Sequence, residues 1–322
     1  MWKTSIALVV GFGLFAQNTT YLVLLKGTSA LAYYSANGQL QATIPLGEHP
    51  HEMVFSPDRR TLYTTDNGTM RVENAGAGGN SLSIIDVGAR KKVGEIVLGQ
   101  FRRPHGVDVD PKTGRLVVTA ENPDKLLLVD PNKRSVLKTF DTKGKTPHMV
   151  TFGPGAAWAY VSNSGSGSVA AVNVETGQTH VIATGARPEG SVLSRDGKEL
   201  YVANRDGEGI TVIDTTKQQA IALIQTGKGP VRIAITPDGS QLAYALMYEK
   251  KVAFADPKAR RQTDYVLLPN QPVSCNLSRD GKFALVSAEE QNTIYVISVA
   301  EKKIVREIRT PQGTGPDPVF GY

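Results

Sequence analysis

Residues 187–227 read RPEGSVLSRDGKELYVANRDGEGITVIDTTKQQAIALIQTG. After RPEGSVLS comes a turn at RDGK, then ELYVANRDGE, GITVIDTTKQ and QAIALIQTG. Apolar side chains alternate along these pieces with the two-residue period of a half-buried β-strand, because successive side chains on a strand leave opposite faces. The Asp-Gly pair supplies the positive φ that a tight hairpin connection needs. The stretch predicts a four-stranded antiparallel meander.

The same order recurs along the chain. SLSIID (81–86), KLLLVD (125–130), SVAAVN (168–173), GITVID (209–214), KVAFAD (251–256) and TIYVIS (293–298) end 44, 43, 41, 42 and 42 residues apart. A further copy, ALAYYS, ends at Ser35, 51 residues before Asp86, and the insertion TMRVENAGAGG after Gly68 accounts for the excess. Asp-Gly turns return at TPDGS (236–240) and SRDGK (278–282). A four-stranded sheet cannot bury both of its faces alone, so the units must stack face to face, and a closed ring leaves none without a neighbour.

Six complete units run from about Glu48 to Gly313, and the remainders complement each other. The N-terminal region offers three strands, TYLVLLKG, ALAYYSA and QLQATIPLG, and the C-terminus offers one, PDPVFGY. In register, that last piece is the innermost strand of a unit whose other strands come from the N-terminus. The expected fold is all-β: a seven-bladed β-propeller with four antiparallel strands per blade, closed by pairing the C-terminal strand with the three N-terminal ones.

YVANRDGEGITVID, YVSNSGSGSVAAVN and YTTDNG resemble the YVTN-repeat seven-bladed β-propellers, within the lactonase-like and cytochrome d1 haem-domain-like superfamily. The repeat of that family resembles Gly-x-x-Pro, an inner strand, Pro-Asp-Gly, Tyr-Val-x-Asn and Val-Ile-Asp. The likeness covers essentially all of residues 17–322 and implies one propeller domain. It does not by itself imply one activity, because the same ring hosts binding proteins, lactonases, lyases and haem or metal enzymes.

Composition narrows the classes. The formal net charge of +6 carries no Lys/Arg block longer than three residues, which fits a solvated mixed surface and argues against nucleic-acid binding. A single cysteine, Cys275, excludes an intramolecular disulfide and any cysteine cage for zinc or iron and sulfur, and the absence of CxxCH excludes covalent c-type haem. Cys275 sits in the apolar run PVSCNLS and is expected to be a buried small hydrophobe. The start, MWKTSIALVVGFGLFAQNTT, has a basic Lys3, an apolar stretch from Ser5 to Phe15 and a small residue at Ala16, so residues 1–16 read as a signal peptide and the protein as periplasmic or secreted. Leu14 departs from the small residue usual before a cleavage site, and an uncleaved anchor, the one route to a membrane, is the alternative. GSGSVA imitates a phosphate loop but joins two strands, so it reads as a hairpin turn.

Histidine is rare, five in all, and three follow the repeat's proline. At that position stand His51, His105, His148, Glu189, Val231, Val273 and Asp317. It opens the innermost strand, so seven such side chains converge at one mouth of the central channel. The turns after each second strand belong to the same face and bring Asp66, Asn67, Glu121, Asn122, Asn163, Asn204, Arg205, Glu289 and Glu290. The glycine-rich insertion of the first blade falls there too and suits a lid. His49 and His180 fall off register and are expected at the surface.

Three readings of the histidines stand side by side. They can hydrogen-bond a neighbouring blade's backbone; they can hold an organic or anionic ligand; or His51, His105 and His148 can ligate a divalent transition metal with an open position. GPVRIAITPDG, with Arg232, resembles the lactonase propellers, and that likeness implies His105 or His148 as base, Arg232 as electrostatic stabiliser and Glu121 or Glu189 as an orienting or acidic group. The family's fuller HPxH and NE patterns are not reproduced in the same blades. The favoured reading is a monomeric binding or interaction scaffold, with a small-molecule or protein or peptide ligand held by His51, His105, His148, Glu189, Glu121, Arg232 and Glu289; a lactonase-like hydrolase or a metal-dependent lyase or oxidoreductase using the same cluster is the alternative.

Overall fold

The structure, a computed structural model, describes residues 20–322; the segment 1–16 read as a signal peptide lies outside the described residues. Seven sheets of four antiparallel strands follow one another around a ring. Blade 4 keeps the order read from its sequence: Pro188–Leu193 innermost, then Glu199–Asn204, Gly209–Asp214 and Gln219–Gln225 outermost. The glycines of its first turn and of the two related turns have positive φ, 71° at Gly197, 73° at Gly239 and 71° at Gly281.

Blade 7 is shared between the chain ends. Pro316–Gly321 pairs with Thr20–Leu25, which pairs with Ala30–Ser35 and then Leu40–Pro45. Reciprocal backbone bonds, Thr20 N to Tyr322 O at 3.0 Å and Tyr322 N to Thr20 O at 2.8 Å, close the seam.

The middle strands read as almost continuous apolar runs because both of their faces are covered. Leu22 and Leu24 of one strand pack with Phe55 and Leu62 of blade 1, whereas Val23 and Leu25 pack with Leu285 and Val296 of blade 6. Seven apolar clusters form, each joining two consecutive blades. Cys275 is buried in the cluster between blades 5 and 6, and burial pushes its thiol up to about 12.

The innermost strands carry one further feature. In blades 1 to 5 the ladder shifts register just after the repeat's proline, between Pro50 and Met53 in blade 1 and between Pro230 and Ile233 in blade 5. Such a bulge adds a residue and breaks strict alternation, so two neighbouring side chains can turn to the same side. Blade 6 departs most from the repeat: its innermost ladder shortens to Asn276–Leu277, while ahead of it the Ser274 and Ser287 hydroxyls bond each other and Val273 N reaches Ser287 O.

Candidate functional site

Threonines at the ends of second strands hold the histidine backbones. Thr65 of blade 1 accepts from Glu52 N at 3.0 Å and donates to His105 O of blade 2 at 2.8 Å. Thr119 repeats the bridge one blade on, accepting from Gly106 N at 2.8 Å and donating to His148 O at 2.7 Å. Glycine follows His105 because a Cβ at 106 would stand 2.6 Å from His148 O, and the inner strands approach too closely for any side chain there.

All seven side chains that open the innermost strands, from His51 to Asp317, line one cavity of about 400 Å³ at the channel mouth. The loop after Thr61–Asp66 roofs it. Its neck is pinched by Gly79 N to Asn67 O at 2.6 Å, and its crown is tied to three other blades. Arg71 meets Glu290 of blade 6 at 2.5 Å, Glu73 pairs with Arg187 before blade 4, and Arg103 of blade 2 donates to Asn74 O at 2.9 Å.

Of the site residues expected from sequence, His51, His105, His148, Glu121, Glu189 and Arg232 come together. His51 Nε2 lies 2.6 Å from Thr69 O, and its ring stands edge-on to His105 at 4.6 Å. The His105 and His148 rings are 3.7 Å apart. One oxygen of Glu121, Oε1, faces both: 3.0 Å from His105 Nδ1 and 3.4 Å from His148 Nδ1. The first of these is too poorly aligned to be a hydrogen bond, and His105 Nδ1 is buried with no hydrogen-bond partner among the described residues. Glu121 Oε2 is held by Arg103 Nε at 3.2 Å. On the far side of His148, Nε2 meets Glu189 Oε2 at 3.2 Å. The grouping that could hold a metal is His105, Glu121 and His148; His51 is turned to the backbone of the roofing loop.

Glu189 is a junction for three guanidinium groups: Arg187 Nε at 3.4 Å, Arg205 Nη1 at 3.2 Å and Arg232 Nη1 at 3.7 Å. Arg232 also pairs across the channel with Glu52, while its Nε is buried without a partner among the described residues. Glu289 does not reach this group. It binds Lys26 Nζ at 3.0 Å, and Lys26 lies 3.6 Å from Asp317.

Burial pushes the pKa of His51 and of His105 well below the ordinary imidazole value, reinforced by Lys26 at His51 and by His148 at His105. His148 is the exception. Burial opposes its charge, but Glu189 and Glu121 on either side outweigh burial and lift it to about 9. Glu189, though buried, is held well below the usual carboxylate range by His148, Arg232 and Arg205. Burial raises Glu52 and Glu289 against the pull of Arg232 and Lys26.

Sequence reading missed Lys26, Glu52, Arg103 and Arg187. Lys26 had a signal: Leu25 pairs with Pro316 as Ala120 pairs with Pro104, so Lys26 is the blade 7 counterpart of Glu121. Glu52 follows His51 and on strict alternation would face away; the bulge turns it inward. Among the turn residues, Asp66, Asn163 and Asn204 are buried and bonded to hydroxyl or backbone groups, outside the cavity lining. His180 is exposed as expected, but His49 is half-buried, its Nδ1 2.8 Å from Lys26 O, because the chain turns at φ 42° to enter blade 1.

The family described as "Lactonase, 7-bladed beta-propeller" matches residues 99–255, from the first strand of blade 2 into blade 5. No curated protein matches the chain by sequence. Among solved structures, a functionally unknown protein from Desulfotomaculum acetoxidans DSM 771 superposes with a TM-score of 0.75 at 16% identity, over 92% of this chain and 96% of that one. Kuenenia stuttgartiensis hydrazine synthase gives 0.69 at 17% identity, over 81% and 86%. The dihydro-heme d1 dehydrogenase NirN in complex with DHE gives 0.66 at 16% identity, over 91% of this chain and 64% of that one. At these identities the superpositions speak for the fold. Seven blades of four antiparallel strands make the chain a seven-bladed β-propeller, and its blades 2 to 5 are similar to the lactonase propeller family.

Proposed function

We propose that the chain is a binding propeller that encloses a small anionic molecule at the histidine-bearing mouth, beneath the loop that follows Asp66. The observation that carries this reading is the convergence of Arg187, Arg205 and Arg232 on the single carboxylate of Glu189. Each guanidinium has five N–H donors and no acceptor, so donors remain over beside a cavity of about 400 Å³, the size of a small-molecule site. An anion would take up those donors, and His51 would add a neutral ring nitrogen.

The test is a thermal-shift and calorimetric screen of small carboxylates and organophosphates against their neutral amide or ester analogues. The expected result is a saturable rise in Tm for at least one anion, weakened about 10-fold or more in Arg187→Gln/Arg205→Gln and absent for its neutral analogue. Equal binding of neutral analogues, or no shift with any anion, overturns it.

A lactonase-like reaction is the second reading, because residues 99–255 include His105, Glu121, His148, Glu189 and Arg232. Here a lactone carbonyl would meet Arg232 and neutral His105 would accept a proton from water. Base uptake during hydrolysis of glucono-δ-lactone, lost on His105→Ala, would support it; equal rates for the two proteins would remove it. Export to the periplasm or outside the cell belongs to the same proposal, and N-terminal sequencing of protein recovered from those fractions tests it.

A further inference from the structure

His105, Glu121 and His148 have a geometry that ion pairing leaves unexplained. One carboxylate oxygen faces two Nδ1 atoms at 3.0 and 3.4 Å, yet His105 Nδ1 lacks the alignment for a hydrogen bond and, on a side chain 3% exposed, has no partner among the described residues. Ligand atoms about 2.0–2.1 Å from a tetrahedral zinc-type ion lie about 3.3 Å from one another. The two separations match that edge length, and one ligand atom from each of the three residues lies within 4.8 Å of the other two.

The surroundings match as well. A ligating imidazole ordinarily donates its other N–H to a carboxylate, which fixes the ring and its tautomer. His148 Nε2 is 3.2 Å from Glu189 Oε2. Glu121 is oriented in turn by Arg103 through its other oxygen, and both imidazoles line the cavity while Glu121 stands behind them.

We propose that His105 Nδ1, His148 Nδ1 and Glu121 Oε1 form a site for one divalent transition ion of the zinc type, with its remaining coordination position open to the cavity. The donor set, two imidazoles and a carboxylate, suits zinc or cobalt over calcium or magnesium, which prefer all-oxygen shells. The inference goes beyond the anion-binding reading and does not depend on it, since metal affinity is measured without an organic ligand.

The experiment uses the full chain, stripped with dipicolinate and titrated with Zn²⁺ in competition with a chromophoric chelator, and in parallel with Co²⁺ to read the d–d absorption of the bound ion. The expected result is one equivalent per chain with the cobalt spectrum of a low-coordinate nitrogen and oxygen site. Glu121→Gln and His148→Ala should each weaken Zn²⁺ about 100-fold or more, Glu189→Gln about 10-fold, and His180→Ala not at all. Glu121→Asp keeps the charge beside Arg103 while withdrawing the oxygen, so it provides a second ligand variant with a milder change to the fold. Near-UV circular dichroism confirms that each variant is folded. Absence of saturable binding to the wild type, or folded Glu121→Gln and Glu121→Asp proteins that bind as tightly as wild type, overturns the site; a loss of anion binding alone leaves the metal titration standing.

Discussion

Glu52 of blade 1 and Arg232 of blade 5 form a buried ion pair across the channel, 180 residues apart in sequence. Neither charge is reached by simple strand alternation; both are turned inward by bulges. Removing one partner of a buried pair leaves the other uncompensated, which costs about 3–5 kcal/mol. Glu52→Gln should therefore lower unfolding stability by about 3 kcal/mol. The apolar pair Glu52→Leu/Arg232→Met should return it to within about 1 kcal/mol of wild type. Urea denaturation of the two single variants and the double variant measures the coupling, and additive effects would count against the pair.

Ring closure rests on the C-terminal strand. Val319 is fully buried between blades 7 and 6, so Val319→Ala should cost about 2 kcal/mol from lost contact and the remaining void. Deleting the last eight residues should cost far more, because it exposes an apolar face on each side of the gap. An unchanged melting temperature after that truncation would contradict closure by the two chain ends.

Asp66 gives a pH dependence with a definite sign. Burial raises its carboxyl to about 6, against the pull of hydroxyl bonds from Ser83 and Ser81. In the unfolded chain the value is about 3.9. Between those values the native state holds a proton that the unfolded state has released, so the contribution of Asp66 to stability falls as pH rises from about 4 to about 6 and is level above. Relative to Asp66→Asn, the wild type should lose up to about 3 kcal/mol across that window. Guanidinium melts of both proteins at several pH values check this, and a difference that stays constant with pH would refute it.

The roofing loop should open without loss of the fold. In its ties through Arg71 and Glu73, the side chains of Arg71, Glu290 and Glu73 are more than half exposed and that of Arg187 is 29% exposed, and such solvent-screened pairs contribute about 0–1 kcal/mol each. Arg71→Ala/Glu73→Ala should move Tm by less than about 3 °C. Limited proteolysis should then cut between residues 70 and 78 several times faster than in wild type. Equal cleavage rates would mean that other contacts hold the roof.

The N-terminal signal reading aside, the repeat in the sequence determined the ring, its seven blades, the shared closing blade and the seven positions that meet at the mouth. These follow from period and register, because each strand pairs with a neighbour a few residues along the chain and side-chain direction alternates with a fixed period. His105, His148 and Glu189 could be placed that way, whereas Arg232, one residue past the register position of Val231, entered through the likeness of GPVRIAITPDG to the lactonase propellers. Lys26 and Glu289 could not be paired from sequence, since they stand 263 positions apart and only curvature of the whole ring brings them to 3.0 Å. Glu52 turned inward only through a bulge, and the choice of Glu121 over His51 between the two neighbouring imidazoles, whose planes are tilted by 43°, was a matter of side-chain rotamers packed beneath the loop. Local hydrogen bonding fixes which residues arrive at the mouth; the closed ring and its packed side chains decide which of them touch.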